Sequence, residues 1–76
     1  MDWRDRIAGD PAIMVGKPVI KGTRITVEFI IQLLSNGWSF TDILEEYPHI
    51  VEDDIRACLL YAHDIVKIVR EYPLKA

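Results

Sequence analysis

The sequence predicts a single, mainly α domain: a compact three-helix unit of the helix-turn-helix type, homeodomain-like or winged-helix-like, with a short N-terminal β-hairpin. Three observations favour this fold. The chain has 76 residues, half of them hydrophobic, which is enough for one core and too few for a second domain. Residues 26–69 carry three apolar repeats of helical spacing, separated by two tight links. Residues 1–25 instead hold short apolar runs bounded by glycine and proline. We therefore expect a hairpin arm (1–25), a three-helix unit (26–69) and a C-terminal tail (70–76).

The arm is predicted to contain two strands, at Arg6–Ala8 and at Val19–Ile20. A Gly-Asp-Pro turn ends the first. Pro18 suits the first residue of the second strand, and Gly22 supplies a turn position at which a positive φ is needed. The stretch from Gly16 to Thr26 is accordingly expected to form a tight basic hairpin or loop that leads into a helix.

Two short helices should follow. Thr26 is a suitable N-cap for the first, which should stop at Asn36-Gly37. Ser39 should begin the second, with Asp42 three residues later in a capping-box arrangement, and Pro48 should end it. The apolar positions expected to face the core are Phe29, Ile30, Leu33 and Leu34 in the first helix, and Phe40, Ile43, Leu44 and Tyr47 in the second.

The third helix is predicted from about Glu52 to Val69. Its first turn holds three acidic residues, which the helix dipole favours. Cys58 is expected to be a small core residue. The inward stripe is predicted to comprise Ile55, Leu59, Ala62 and Val66, widened by Leu60 and Ile65.

Composition excludes some classes of protein. The single cysteine rules out an internal disulfide and fits a reducing compartment. The chain shows neither an apolar run long enough to span a bilayer nor a signal-peptide pattern, so we expect a cytoplasmic protein. The net charge of −3 gives no global attraction to nucleic acid, although residues 1–27 and 65–76 are basic and residues 28–64 are acidic.

Several spaced motifs occur in order along the chain. They are Asp10-Pro11, the segment GKPVIKGTR from Gly16 to Arg24, the segment ILEEYPHI from Ile43 to Ile50, and the acidic run from Glu52 to Asp54. Together they resemble, from about residue 7 to 62, domain-of-unknown-function family 433, a bacterial and archaeal family usually described as antitoxin-like. The chain departs from the family pattern at Val51, where a Ser or Thr cap is common, and a displaced start of the third helix is one consequence of that departure.

The resemblance implies a function through partners. Members of that family are often associated with a toxin resembling PIN-type ribonucleases. The implied role is therefore an antitoxin-like interaction protein that neutralises such a toxin and autoregulates its operon by binding DNA, with a homodimer expected. The alternative is a stand-alone helix-turn-helix DNA-binding transcriptional regulator.

The acidic start of the third helix argues against that helix reading the major groove, because DNA affinity depends on neutralising phosphates with cations. Arg56 alone cannot offset the three carboxylates. The basic hairpin is the better candidate for nucleic acid, joined by Arg4 and Arg6 of a dimer mate. The positions predicted to contact a partner or nucleic acid are Lys17, Lys21, Arg24, Arg56, Lys67 and Arg70.

Arg24 has two interpretations. Its guanidinium has donors suited to carboxylates, so Arg24, or else Arg70, is a candidate to enter the acidic metal site of a nuclease and block metal or RNA. The competing interpretation, which we favour for Arg24, is an ion pair within the domain, for instance with Glu28 four residues later. The apolar end of the third helix is expected to bury against a second copy or a toxin subunit.

The sequence contains no pattern that indicates catalysis. His49 and His63 match no metal-ligand spacing, and Cys58 has no histidine placed to activate it. The Gly16–Arg24 loop lacks the spacing of a nucleotide-binding P-loop. We therefore expect neither an enzyme nor a bound metal or cofactor.

Overall fold

A computed structural model describes residues 1–9 and 16–68 of the chain. A 3₁₀ turn at Trp3–Asp5 precedes two strands, and three α-helices follow. The elements are β1 (Ile7–Gly9), β2 (Pro18–Ile20), α1 (Val27–Ser35), α2 (Phe40–Glu46) and α3 (Glu52–Ile68). The predicted fold class is confirmed: a mainly α, three-helix chain with a short hairpin before it. The predicted Gly-Asp-Pro turn beyond Gly9, the end of the third helix at Val69 and the tail from residue 70 lie outside the described residues.

The two strands pair antiparallel, in a register that sets Ile7 opposite Ile20 and Gly9 opposite Pro18. Ile7 and Ile20 are both buried, so this pair anchors the sheet to the helices. Pro18 is the first residue of its strand, where the missing N–H interrupts no interior ladder. Both strands are therefore found where the apolar runs predicted them, with β1 displaced by one residue.

Side-chain caps begin α1 and α2 as expected. The Thr26 hydroxyl accepts a hydrogen bond from the Phe29 backbone N–H at 2.9 Å. At α2, the Ser39 hydroxyl accepts from the Asp42 N–H and the Asp42 carboxylate accepts from the Ser39 N–H, at 3.0 and 2.9 Å. These short side chains satisfy N–H groups that have no partner within a helix.

The third helix starts at Glu52 although Val51 offers no capping oxygen. The Asp54 carboxylate supplies one of the two hydrogen bonds of a capping box, because its Oδ2 accepts a hydrogen bond from the Val51 backbone N–H at 2.9 Å. The prediction that Val51 displaces the start of this helix is therefore wrong. An acidic residue three positions after the cap position holds the chain in place.

The core lies between α1, α3 and the sheet. Its buried apolar members are Ile7, Val19, Ile20, Val27, Ile30, Leu33, Ile43, Ile50, Ile55, Ala57 and Cys58. Phe29, predicted to be a core residue, is 38% exposed and instead meets Tyr47 edge-on, with ring centroids 5.8 Å apart. The buried face of α1 is formed by Val27, Ile30 and Leu33, which recur every three residues and exclude the adjacent position 29.

The predicted inward stripe of α3 is also wrong in part. Leu59 and Val66 are 40% and 71% exposed, whereas Ile55 and Cys58 are fully buried. Apolar residues surround this helix almost completely, so spacing alone selects no single face. The other elements cover only the side that carries Ile55 and Cys58, with Tyr61 half-buried one turn further along.

Candidate functional site: a basic turn and the outer face of the third helix

Residues Lys21 to Arg24 form a tight turn, which we call the basic turn. The Ile20 N–H donates to the Ile25 carbonyl at 2.9 Å and closes its base. Inside it, the Thr23 hydroxyl donates to the Ile20 carbonyl at 2.8 Å and accepts from the Ile25 N–H at 2.9 Å. Gly22 lies at φ +79°, as its place in the turn predicted. The turn is thus fixed by its own hydrogen bonds.

The basic turn exposes two cations, Lys21 and Arg24. Over residues 1–9 and 16–68, neither makes an ion pair within 4.0 Å. The ion pair that we favoured between Arg24 and Glu28 is therefore wrong. A spacing of four residues brings side chains together only within a helix, and Arg24 precedes the N-cap of α1.

Glu28 is instead paired with Lys17, whose Nζ lies 3.0 Å from Oε1. Both side chains are more than half exposed, so this pair contributes about 0–1 kcal/mol at most. It nevertheless offsets the charge of Lys17. Of the three predicted contact cations in the arm, Lys21 and Arg24 are consequently the ones best placed to meet a partner.

The acidic first turn of α3 is compensated by arginines. The Arg6 guanidinium lies 3.0 Å from the Asp54 carboxylate and 3.8 Å from that of Asp53. Arg56 pairs with Glu52 across one helical turn, and that carboxylate raises the pKa of the guanidinium. The repulsion of phosphate expected from three free carboxylates is therefore smaller than the sequence indicates. Arg6 makes this contact while its side chain stays 37% exposed, so its role as a nucleic-acid contact remains a prediction.

A second surface runs along α3 on the side away from the core. Its members, all exposed, are Glu52, Arg56, Leu59, Leu60, His63, Val66 and Lys67, which we call the outer face of α3. At 3.6 residues per turn they fall within an arc of about 120°. Two of the predicted contact residues, Arg56 and Lys67, lie here. Leu59, Leu60 and Val66 were missed because the periodicity assigned all three to the inward stripe.

The predicted contact residues thus occupy two separate elements. Lys17, Lys21 and Arg24 belong to the arm, and Arg56 and Lys67 belong to α3. No hydrogen bond or ion pair found in the described part of the chain joins the two sets. Arg70 lies outside the described residues.

The N-terminal 3₁₀ turn is fastened to α3 by a contact that sequence reasoning missed. The Trp3 Nε1–H donates to the Asp64 Oδ2 at 2.6 Å, and the Trp3 ring meets Tyr61 edge-on with centroids 4.8 Å apart. The indole hydrogen bond, followed by that of His63, lowers the pKa of the Asp64 carboxyl. These residues are 61 positions apart, so no local pattern could have revealed the pair.

The chemistry of the remaining candidate groups is limited by burial. Cys58 is fully buried, which together with the charge of Asp54 raises the pKa of its thiol to about 12. It is therefore a core residue, as predicted, and a poor nucleophile. Within residues 1–9 and 16–68, no group of three or more His, Cys, Asp or Glu side chains is arranged to hold a metal ion. No helix of the described segments has the length and apolar character needed to cross a membrane.

Comparison with known proteins places the chain in a family. An uncharacterized protein, y4eO of Sinorhizobium fredii (strain NBRC 101917 / NGR234), is 32% identical over 59 residues, which are 78% of this chain and 27% of the relative. The chain thus spans about a quarter of the length of that curated relative. No solved structure matches this chain significantly. The sequence pattern of a protein family of unknown function, DUF433, matches residues 7–62, and the chain therefore belongs to the DUF433 family.

Proposed function

We propose that this chain is an antitoxin-like interaction protein that neutralises a PIN-like ribonuclease toxin by binding it, with no catalytic step of its own. The observation that carries this proposal is the basic turn, which presents Lys21 and Arg24 on a backbone held by Thr23. A cytoplasmic location and an additional role in repressing its own operon belong to the same proposal.

The inhibitory step follows from the chemistry of the two surfaces. Nucleases of the PIN type hold divalent metal ions with clustered carboxylates. The planar guanidinium of Arg24 offers five donors in a fork that matches carboxylates, so it competes with the metal for the same oxygens. Because hydrogen bonds already order the backbone of the turn, little backbone conformational entropy is lost when Arg24 enters the site.

The test begins with affinity purification of the tagged chain from its native host and recovery of the nuclease bound to it. Cleavage of RNA by the nuclease is then measured at increasing concentrations of this chain. Arg24→Glu should raise the concentration needed for half-inhibition at least about tenfold, since it replaces an attraction to carboxylates by a repulsion. Lys17→Gln is the matched control on the same arm, and we expect it to change inhibition less than about threefold because Glu28 already offsets that cation.

Circular dichroism must show unchanged helix content in both variants. If Arg24→Glu reaches half-inhibition at the same concentration as the wild type, Arg24 does not enter the nuclease site. Recovery of no nuclease at stoichiometric level would contradict the antitoxin function itself.

The second candidate function is a stand-alone helix-turn-helix DNA-binding transcriptional regulator. It is favoured by the order α2, short turn, α3 and by the arginines that compensate the acidic start of α3. Titration of the chain against its own promoter at several salt concentrations separates the two functions. If DNA is the partner, Lys21→Gln and Arg24→Gln should each reduce the logarithmic salt slope by about one, because each removes one phosphate contact. A slope near zero would contradict this function.

A further inference from the structure

The outer face of α3 has a charge pattern that is complementary to itself. Leu59 and Leu60 lie at its centre, Glu52 lies seven residues before this pair and Lys67 seven residues after it. Arg56 and His63 are likewise placed symmetrically, in positions three residues before and after the leucines. Turning the helix end for end about this centre therefore exchanges acidic Glu52 with basic Lys67, and Arg56 with His63.

We propose that α3 pairs antiparallel with α3 of a second copy of this chain, with Leu59 and Leu60 at the centre of the contact. Glu52 of each copy then faces Lys67 of the other, at both ends of a symmetric interface. This is an isologous contact, which closes at two copies. The proposal is independent of the nuclease partner, since it uses a different element from the basic turn.

Apolar burial supplies the stabilising part of this contact. Leu59, Leu60 and Val66 are 40%, 38% and 71% exposed, and Met1, 60% exposed, borders the same leucines across a shallow apolar hollow. A domain of this size gains only about 3–5 kcal/mol from its own core, so covering these side chains is a substantial addition. A DNA surface offers no comparable apolar cover, which is why the leucines favour a protein occupant.

Charge complementarity favours a second copy of this chain as the partner, and it favours an antiparallel orientation of the two helices. The Glu52 Oε2 accepts a hydrogen bond from Arg56 of its own helix, and among the described contacts its Oε1 accepts none, which leaves that oxygen for Lys67 of the second copy. The antiparallel arrangement also sets the positive end of one helix dipole beside the negative end of the other. A parallel pair would instead oppose Glu52 to Glu52 and Lys67 to Lys67.

The experiment measures the dimerisation constant of the full chain by sedimentation velocity, with two charge-reversal variants. In each of Glu52→Lys and Lys67→Glu, both end contacts become like-charge pairs, so dimerisation should weaken by about tenfold. In an equimolar mixture of the two variants, one copy of each restores both opposite-charge contacts. The mixture should therefore form heterodimers with close to wild-type affinity.

Leu60→Asp provides a second, independent variant. Leu60 is exposed in the single chain, so the substitution should keep the helix content measured by circular dichroism while abolishing the dimer. A wild-type chain that stays monomeric at every concentration overturns the proposal. So does a dimer that Leu60→Asp leaves intact, or one whose affinity in the mixture equals that of the separate charge variants.

Discussion

At the scale of single residues, two side-chain contacts join parts of the chain that are distant in sequence. Arg6 meets Asp54 across 48 positions, and Trp3 meets Asp64 across 61. Composition and spacing identify the cations as candidate contact residues, but they do not show which of these cations are paired with an acidic side chain. Only the folded chain separates Lys17, which Glu28 offsets, from Lys21 and Arg24.

Replacing Trp3 by Phe should raise the pKa of the Asp64 carboxyl toward its ordinary value. The indole N–H is the largest cause of the depression, and phenylalanine keeps the ring that packs on Tyr61 while it loses that donor. The measurement is an NMR pH titration of the carboxyl carbon. Asp2 is the internal control, because the backbone N–H of Arg4 lowers its pKa independently of the indole.

The same substitution should change how stability depends on pH. A carboxyl with a depressed folded pKa stabilises the protein above its ordinary pKa of 3.8, and this contribution is lost as the pH falls through the lower folded value. The wild type should therefore exceed Trp3→Phe in stability at neutral pH, and the difference should shrink in acid. An unchanged Asp64 midpoint in the variant would show that the indole is not the cause.

At the scale of elements, caps and turns were predictable because they depend on a few adjacent residues. Thr26, the Ser39 and Asp42 pair, Pro18 and Gly22 all act where local chemistry assigned them. The orientation of α3 was not predictable in the same way. Its apolar residues occur around most of the helix, so the buried face depends on where α1 and the hairpin cover it.

The two candidate surfaces differ in the same way: local sequence predicts one of them, and the other depends on the fold. The basic turn follows from a local cluster of glycines and cations, and the sequence alone located it correctly. The outer face of α3 exists because Leu59, Leu60 and Val66 remain outside a core too small to cover them. Its identification required knowing which residues the fold leaves exposed.

At the scale of the whole molecule, one small core must support two separate surfaces, and Cys58 reports on the stability of that core. Its thiol is fully buried with a pKa raised to about 12, so a thiol reagent at mildly alkaline pH can reach it only when the domain opens. Modification should be slower in the native chain than in guanidinium by about 10²–10⁴-fold, the range that a core worth 3–5 kcal/mol implies.

This protection should depend on protein concentration if α3 pairs with a second copy. Association stabilises the folded form by mass action, so the modification rate of the wild type should fall as the concentration rises. Lys67→Glu should show a weaker dependence, because it disfavours the dimer without touching the core around Cys58. Rapid modification of the dilute wild type, at the rate of the unfolded chain, would show that the thiol is accessible without opening. A rate independent of concentration in both chains would instead mean that the core alone sets the stability of the fold.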